Sequence, residues 1–276
     1  NNNLKVATSF NPIVVQPSAP VVQTLPTQEV KEESSIENTP TTSEVRNVSM
    51  PERKVAAPKP TNPYVKSMAE CGNNGNANYF DFYGPLGEFL GDLEVKPQES
   101  IVVTIDAPQG AGKTRLLFQI INMVTSAGYN PLFLSLEEHP DSSLFTGKRD
   151  EYLSEENKNK VHTMGSLPDT ASKLYEIMEN YEIVFIDSFG KLYNGIDLDK
   201  DIRKRYNGKL FFVIYQRTQD GKMRGGSASQ FDAYATMKVE KDATDYKNSY
   251  AYFDKHRYQS IPLGELKYNI FSRELV

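Results

Sequence analysis

A β-branched run at 101–105 passes within two residues into Ala107-Pro108-Gln109-Gly110-Ala111-Gly112-Lys113-Thr114. The run IVVTI predicts a buried strand. After the motif, Leu116, Leu117, Ile120, Ile121 and Val124 recur at helical spacing, and Gly128 closes the pattern. The eight residues fit (A/G)xxxxGK(S/T), so a strand runs into a glycine loop and out into a helix. Glycines let successive backbone N–H groups turn inward and cradle phosphate oxygens. The helix start adds its positive dipole end. In this context Lys113 is expected to reach the β- and γ-phosphates of a nucleotide, and the Thr114 hydroxyl to ligate Mg²⁺. Residues 107–114 and the adjoining Arg115 form the expected nucleotide-binding set. Ala107 stands where glycine is more usual, which a negative φ would tolerate.

Two later apolar runs end in carboxylates. Ile183–Ile186 is followed by Asp187, which reads as the Walker B acid holding Mg²⁺ through water. The run at 133–136 is followed by Glu137 and Glu138, and a glutamate at such a strand end can polarise an attacking water.

Strands are expected at 131–136, 183–186 and 210–215, with an amphipathic helix at 170–180. Strand-like segments follow near 233–240, 249–255 and 265–271. Strands alternating with helices imply an α/β fold with a mostly parallel central sheet; the closing segments imply antiparallel C-terminal strands.

The organisation changes near residue 79. Before it, prolines recur at 12, 17, 20, 26, 40, 51, 58, 60 and 63 among Thr, Ser, Gln and Glu, which leaves no room for a helix. Residues 1–78 read as a disordered tail or linker. The apolar patches at 10–15 and 20–25 are candidates for docking another protein. Residues 79–276 read as one domain. A net charge of −5 argues against a globally basic nucleic-acid binder. The lone Cys71 excludes an internal disulfide framework and a cysteine zinc site, and fits a cytoplasmic setting. No apolar run is long enough to span a membrane. The first residue is Asn rather than Met, which leaves room for an upstream segment.

Several ordered motifs across 79–276 resemble the RecA-like P-loop ATPases of the branch holding DnaB-type helicases, RadA/Sms and KaiC. YGPLGEFLGDLEVKPQES at 83–100 is similar to their lead-in, and LSLEE at 134–138 to their catalytic-glutamate strand. VIYQRT at 213–218 resembles a strand ending in a polar sensor, and DKHRY at 254–258 a Lys-x-Arg motif presented to a neighbouring subunit. The resemblance implies ATP and Mg²⁺ as cofactors. It implies Glu137 as the residue orienting water and Gln216 as a γ-phosphate sensor. Lys255 and Arg257 would complete a neighbour's site, which requires a homo-oligomer with head-to-tail contacts, a ring or a filament.

The resemblance also implies contact with single-stranded DNA through the glycine-rich loop carrying Arg217, Lys222 and Arg224. Arg203, Lys204 and Arg205 form a second basic cluster. The expected function is Mg²⁺-dependent ATP hydrolysis by an oligomer acting on DNA, in replication, recombination or repair. The alternative is a nucleotide-switched scaffold that does not translocate DNA. A small-molecule kinase would need a lid, and no Arg-rich insertion resembles one. The four-cysteine module of RadA/Sms and the duplication of KaiC are absent from this sequence.

Overall fold

The computed structural model describes residues 64–72, 77–216, 231–258 and 262–276. The chain divides into two units, Asn1–Asn62 and Pro63–Val276, and every described residue belongs to the second. The expected docking patches and most of the expected tail therefore lie outside the described residues. So do Arg217, Lys222 and Arg224. Residues 64–72, at the end of the expected tail, are exposed throughout.

The helices are α1 (Gly84–Leu90), α2 (Lys113–Ser126), α3 (Ser143–Tyr152), α4 (Glu155–Lys158) and α5 (Ala171–Glu179). The strands are β1 (Ile101–Ala107), β2 (Leu132–Ser135), β3 (His162–Met164), β4 (Ile183–Asp187) and β5 (Leu210–Gln216), then β6 (Ala235–Glu240), β7 (Tyr250–His256), β8 (Lys267–Asn269) and β9 (Glu274–Leu275). They form one sheet in the order β3-β2-β4-β5-β1-β6-β7-β8-β9. The first six in that order are parallel, and β7, β8 and β9 are antiparallel to their neighbours.

The central strands are buried on both faces, which is why they read as continuous apolar runs rather than alternating ones. Successive side chains still diverge by the period of two. On β5, Leu210, Phe212 and Ile214 enter the core beneath α1, α2 and α3, where Phe89, Leu90, Leu117, Ile121 and Phe145 pack. Phe211, Val213 and Tyr215 enter the opposite core with Leu174 and Met178 of α5. The result is three layers, helix–sheet–helix.

Local chemistry fixes where the elements begin and end. The Thr170 side chain accepts from the Lys173 amide, capping α5. At the other end of α5, the ammonium of largely buried Lys209 donates to the carbonyls of Glu179 (2.7 Å) and Tyr181 (2.9 Å). A cation there satisfies carbonyls that the helix leaves without partners.

Candidate nucleotide site

Register gathers the candidate residues at one edge of the sheet. Ala107 lies beside Gln216 and Ser135 beside Asp187, so the C-terminal ends of β1, β5, β4 and β2 line up. Residues 108–112 leave β1 at that edge and lead into α2. Gly110 and Gly112 hold φ values of 76° and 95°, which side chains with a Cβ rarely adopt. A Cβ on Gly112 would also stand 3.6 Å from the methyl carbons of Ile270, so the strand-end residue Ile270 walls the loop from behind. Ala107 is buried as the last residue of β1 and is not among the described residues with positive φ. Its side chain is therefore accommodated.

Glu137 stands between two of the other expected site residues. Its Oε1 accepts a 2.6 Å hydrogen bond from the Gln216 amide, and its Oε2 lies 3.8 Å from Lys113 Nζ. The backbone amides of Leu136 and Glu137 both donate to the Asp187 carbonyl, at 2.8 and 3.2 Å. These bonds tie the ends of β2 and β4 together. Glu138 is engaged differently: its carboxylate accepts from the Ser142 hydroxyl, which in turn caps α3 by accepting from the Phe145 amide at 3.1 Å.

Asp187 is 4% exposed, and its Oδ1 has no hydrogen-bond partner among the described residues. Burial, with the nearby Glu137 charge adding to it, pushes its pKa up to about 6, against the pull of Lys113 and Lys148. A buried carboxylate oxygen of this kind needs a cation or a water shell to complete it. The donor set therefore fits a hard, oxygen-coordinated divalent ion such as Mg²⁺, with Thr114 and Asp187 as the residues that would hold it.

Arg115 faces away from this cluster. It donates to the Tyr152 hydroxyl at 2.9 Å and to Glu151 at 3.2 Å, and lies over the Phe271 ring at 5.0 Å. Its place beside the loop matches the expectation, but its guanidinium is taken up by α3 and residue 271.

Lys255 and Arg257 do not join the site of their own chain. β7 runs antiparallel to β6, pairing His256 with Ala235, and Ala235 in turn lies beside Val103 near the start of β1. Through Thr236, Lys255 lies level with Thr104, midway along β1 and two strands over, and Arg257 lies further from the phosphate loop still. Three strand positions along the sheet, about 10 Å, and two strand spacings across it, about another 10 Å, separate Lys255 from the end of β1. Lys255 there donates to the Phe231 carbonyl at 2.8 Å.

The sequence reading missed Lys148. It is half-buried on α3, and its charged neighbours include Glu138, Asp187, Arg115 and Lys113. Burial pushes its pKa below the usual lysine range despite the two acids. The available signal was its spacing from Phe145 and Tyr152, but α3 itself went unpredicted. Its apolar face is thin, with only Phe145 and Tyr152 buried, and Gly147 interrupts it.

No protein-family model and no curated protein matches the sequence. Solved structures do. The flagellar accessory protein FlaH from Methanocaldococcus jannaschii is similar over 73% of this chain and 99% of its own, with a TM-score of 0.52 and 13% identity. A KaiC-like protein from Pyrococcus horikoshii matches over 64% and 88%, with a TM-score of 0.49 and 17% identity. A RadB recombinase matches over 69% and 95%, with a TM-score of 0.48 and 18% identity. At these identities the likeness is one of fold. Strand order, register and the match to FlaH agree that the described residues carry a RecA-like fold.

Proposed function

We propose that this chain is a Mg²⁺-dependent ATPase that works as a homo-oligomer on DNA. The observation that carries the hydrolytic reading is Glu137, held between Lys113 and Gln216 at the edge where Asp187 also ends. A nucleotide-binding loop needs Lys113; a carboxylate placed beside it serves a second purpose, the orientation of water.

In this reading the loop amides and Lys113 hold the β- and γ-phosphates, and Glu137 accepts a hydrogen bond from the attacking water. Its contact with Gln216 passes the state of that position to β5. Thr114 and Asp187 would hold Mg²⁺, which would supply charge neutralisation at the phosphate oxygens. Lys255 and Arg257 stabilise the γ-phosphoryl charge of a neighbouring subunit's nucleotide. Their position two strands over from the phosphate loop, on a strand that runs away from it, supports a role in trans.

Contact with single-stranded DNA rests on Arg217, Lys222 and Arg224 in the glycine-rich stretch between β5 and β6. Stimulation of turnover by single-stranded DNA at low salt supports this part; turnover indifferent to DNA favours the nucleotide-switched scaffold.

The decisive test of the hydrolytic reading is Lys113→Ala. Steady-state phosphate release should fall by about three orders of magnitude, the loss of roughly 4 kcal/mol of transition-state stabilisation. Turnover unchanged in that variant removes the assignment.

A further inference from the structure

Lys148 holds a position that no other described lysine shares. Phe145 lies three residues before it and Tyr152 four after, so the three occupy one face of α3. Phe145 is clamped between Phe118 of α2 and Phe133 of β2, with ring centroids 5.3 and 5.8 Å away. Tyr152 accepts the hydrogen bond from Arg115 in the first turn of α2. Two anchors, one on each side, therefore fix Lys148 against the start of the phosphate-loop helix.

Several other partly buried lysines of the domain are paired. Lys209 donates to two carbonyls, Lys158 pairs with Asp150 and Glu155, and Lys96 pairs with Glu99. Lys148 makes no hydrogen bond or ion pair among the described residues, although Glu138 and Asp187 are near enough to act on its charge. A half-buried ammonium without a direct partner is costly in a protein at rest. The cost is explained if an anion completes the site.

The direction of approach identifies the anion. In the strand order β2-β4-β5-β1, the phosphate loop leaves β1, while Lys148 comes from the side of β2 and β4, where Glu138 and Asp187 end. A triphosphate held by the loop and Lys113 would carry its last phosphoryl group toward Glu137, which stands 3.8 Å from Lys113 on that side.

We infer that Lys148 is a second lysine ligand of the γ-phosphoryl group of a nucleoside triphosphate, supplied from α3 of the same chain. The inference rests on the nucleotide-binding reading of residues 107–114. It makes Lys148 a discriminator between tri- and diphosphate, since a diphosphate leaves the group it would contact absent.

The test is equilibrium binding of ADP and of a non-hydrolysable ATP analogue, each with Mg²⁺, to wild type, Lys148→Met and Lys148→Arg. Methionine keeps most of the stem volume and removes the charge. Lys148→Met should weaken the analogue about tenfold and leave ADP within about twofold, with Lys148→Arg recovering most of the loss. Equal weakening of both nucleotides, or no change in either, overturns the inference while leaving nucleotide binding intact. Wild type that binds neither nucleotide overturns the proposed function and this inference together.

Discussion

The two edges of the parallel sheet handle charge in opposite ways. At the N-terminal edge, charges are matched. Glu99 pairs with Lys96 at 2.7 Å and with Arg203, and Arg203 and Lys204 both pair with Asp199. At the C-terminal edge, Asp187 Oδ1 has no hydrogen-bond partner among the described residues, Lys148 has no direct pair, and Lys113 stands at the long distance of 3.8 Å from Glu137. Matched charges need nothing further and hold elements together. Under-matched ones are costly unless a ligand arrives, so they mark where phosphate and metal would fit. Lys255 donates to the Phe231 carbonyl and has the Arg257 and Asp232 charges nearby. Burial, then the Arg257 charge, pushes the Lys255 ammonium below its usual range.

The largest effect expected from this contrast is on turnover. Arg257→Ala and Glu137→Gln should each cut it by about three orders of magnitude or more. Mixed and allowed to re-associate, the two variants should regain a measurable share of wild-type activity. In a mixed oligomer, some sites join an intact Glu137 from one chain to an intact Arg257 from the other. Two dead variants that stay dead when mixed, with co-assembly verified by mass, would break the comparison.

The next effect is on stability. Burial raises the Asp187 pKa to about 6, so holding it ionised at pH 7 costs the folded state. Asp187→Asn removes that cost and should raise the stability of the nucleotide-free protein by on the order of 1–3 kcal/mol while abolishing turnover. Glu99→Gln, which breaks a matched pair, should lower stability instead. Urea unfolding of both variants without nucleotide checks the opposite signs.

The smallest effect concerns His256, between Lys255 and Arg257. Its Nε2 lies 2.9 Å from the Leu90 carbonyl, and burial pushes its pKa below 6.5 despite that contact. The folded state thus takes up a proton less readily than the unfolded chain. This contribution is fully present above about pH 6.5 and is lost as pH falls through the folded-state value. His256→Gln should flatten the acid side of the stability profile, measured as the unfolding midpoint between pH 7.5 and 5.5.

The placement of several candidate residues at strand ends was legible in the sequence. The phosphate loop, Asp187 and Glu137 sit at ends of strands that announce themselves as continuous apolar runs, because both faces are buried. Short elements were not legible. β3 has three residues, two of them exposed, so its pairing with β2 leaves no apolar signature. α1 carries glycines at 84 and 87 and reads as a turn, yet Phe89 and Leu90 are fully buried beneath it. Gly87 is needed there because a Cβ would meet the Phe82 backbone at 2.6 Å. Lys148 escaped for a related reason: its position depends on what α3 packs against, and that contact joins residues far apart in the chain.

Ile270, the wall behind the phosphate loop, has a consequence for how the site is assembled. The Gln119 side chain, in the helix that opens at Lys113, donates to the Ile270 carbonyl at 2.8 Å and accepts from the Tyr268 hydroxyl at 2.8 Å. The first of these contacts spans 151 positions of sequence. During synthesis the loop leaves the ribosome long before its backing does, so a growing chain carries the motif without the support that shapes it. Contacts of such separation also form late in folding, after the chain has lost the entropy of closing a long loop. Support for the loop thus depends on residues 268–270, far along the chain from Lys113.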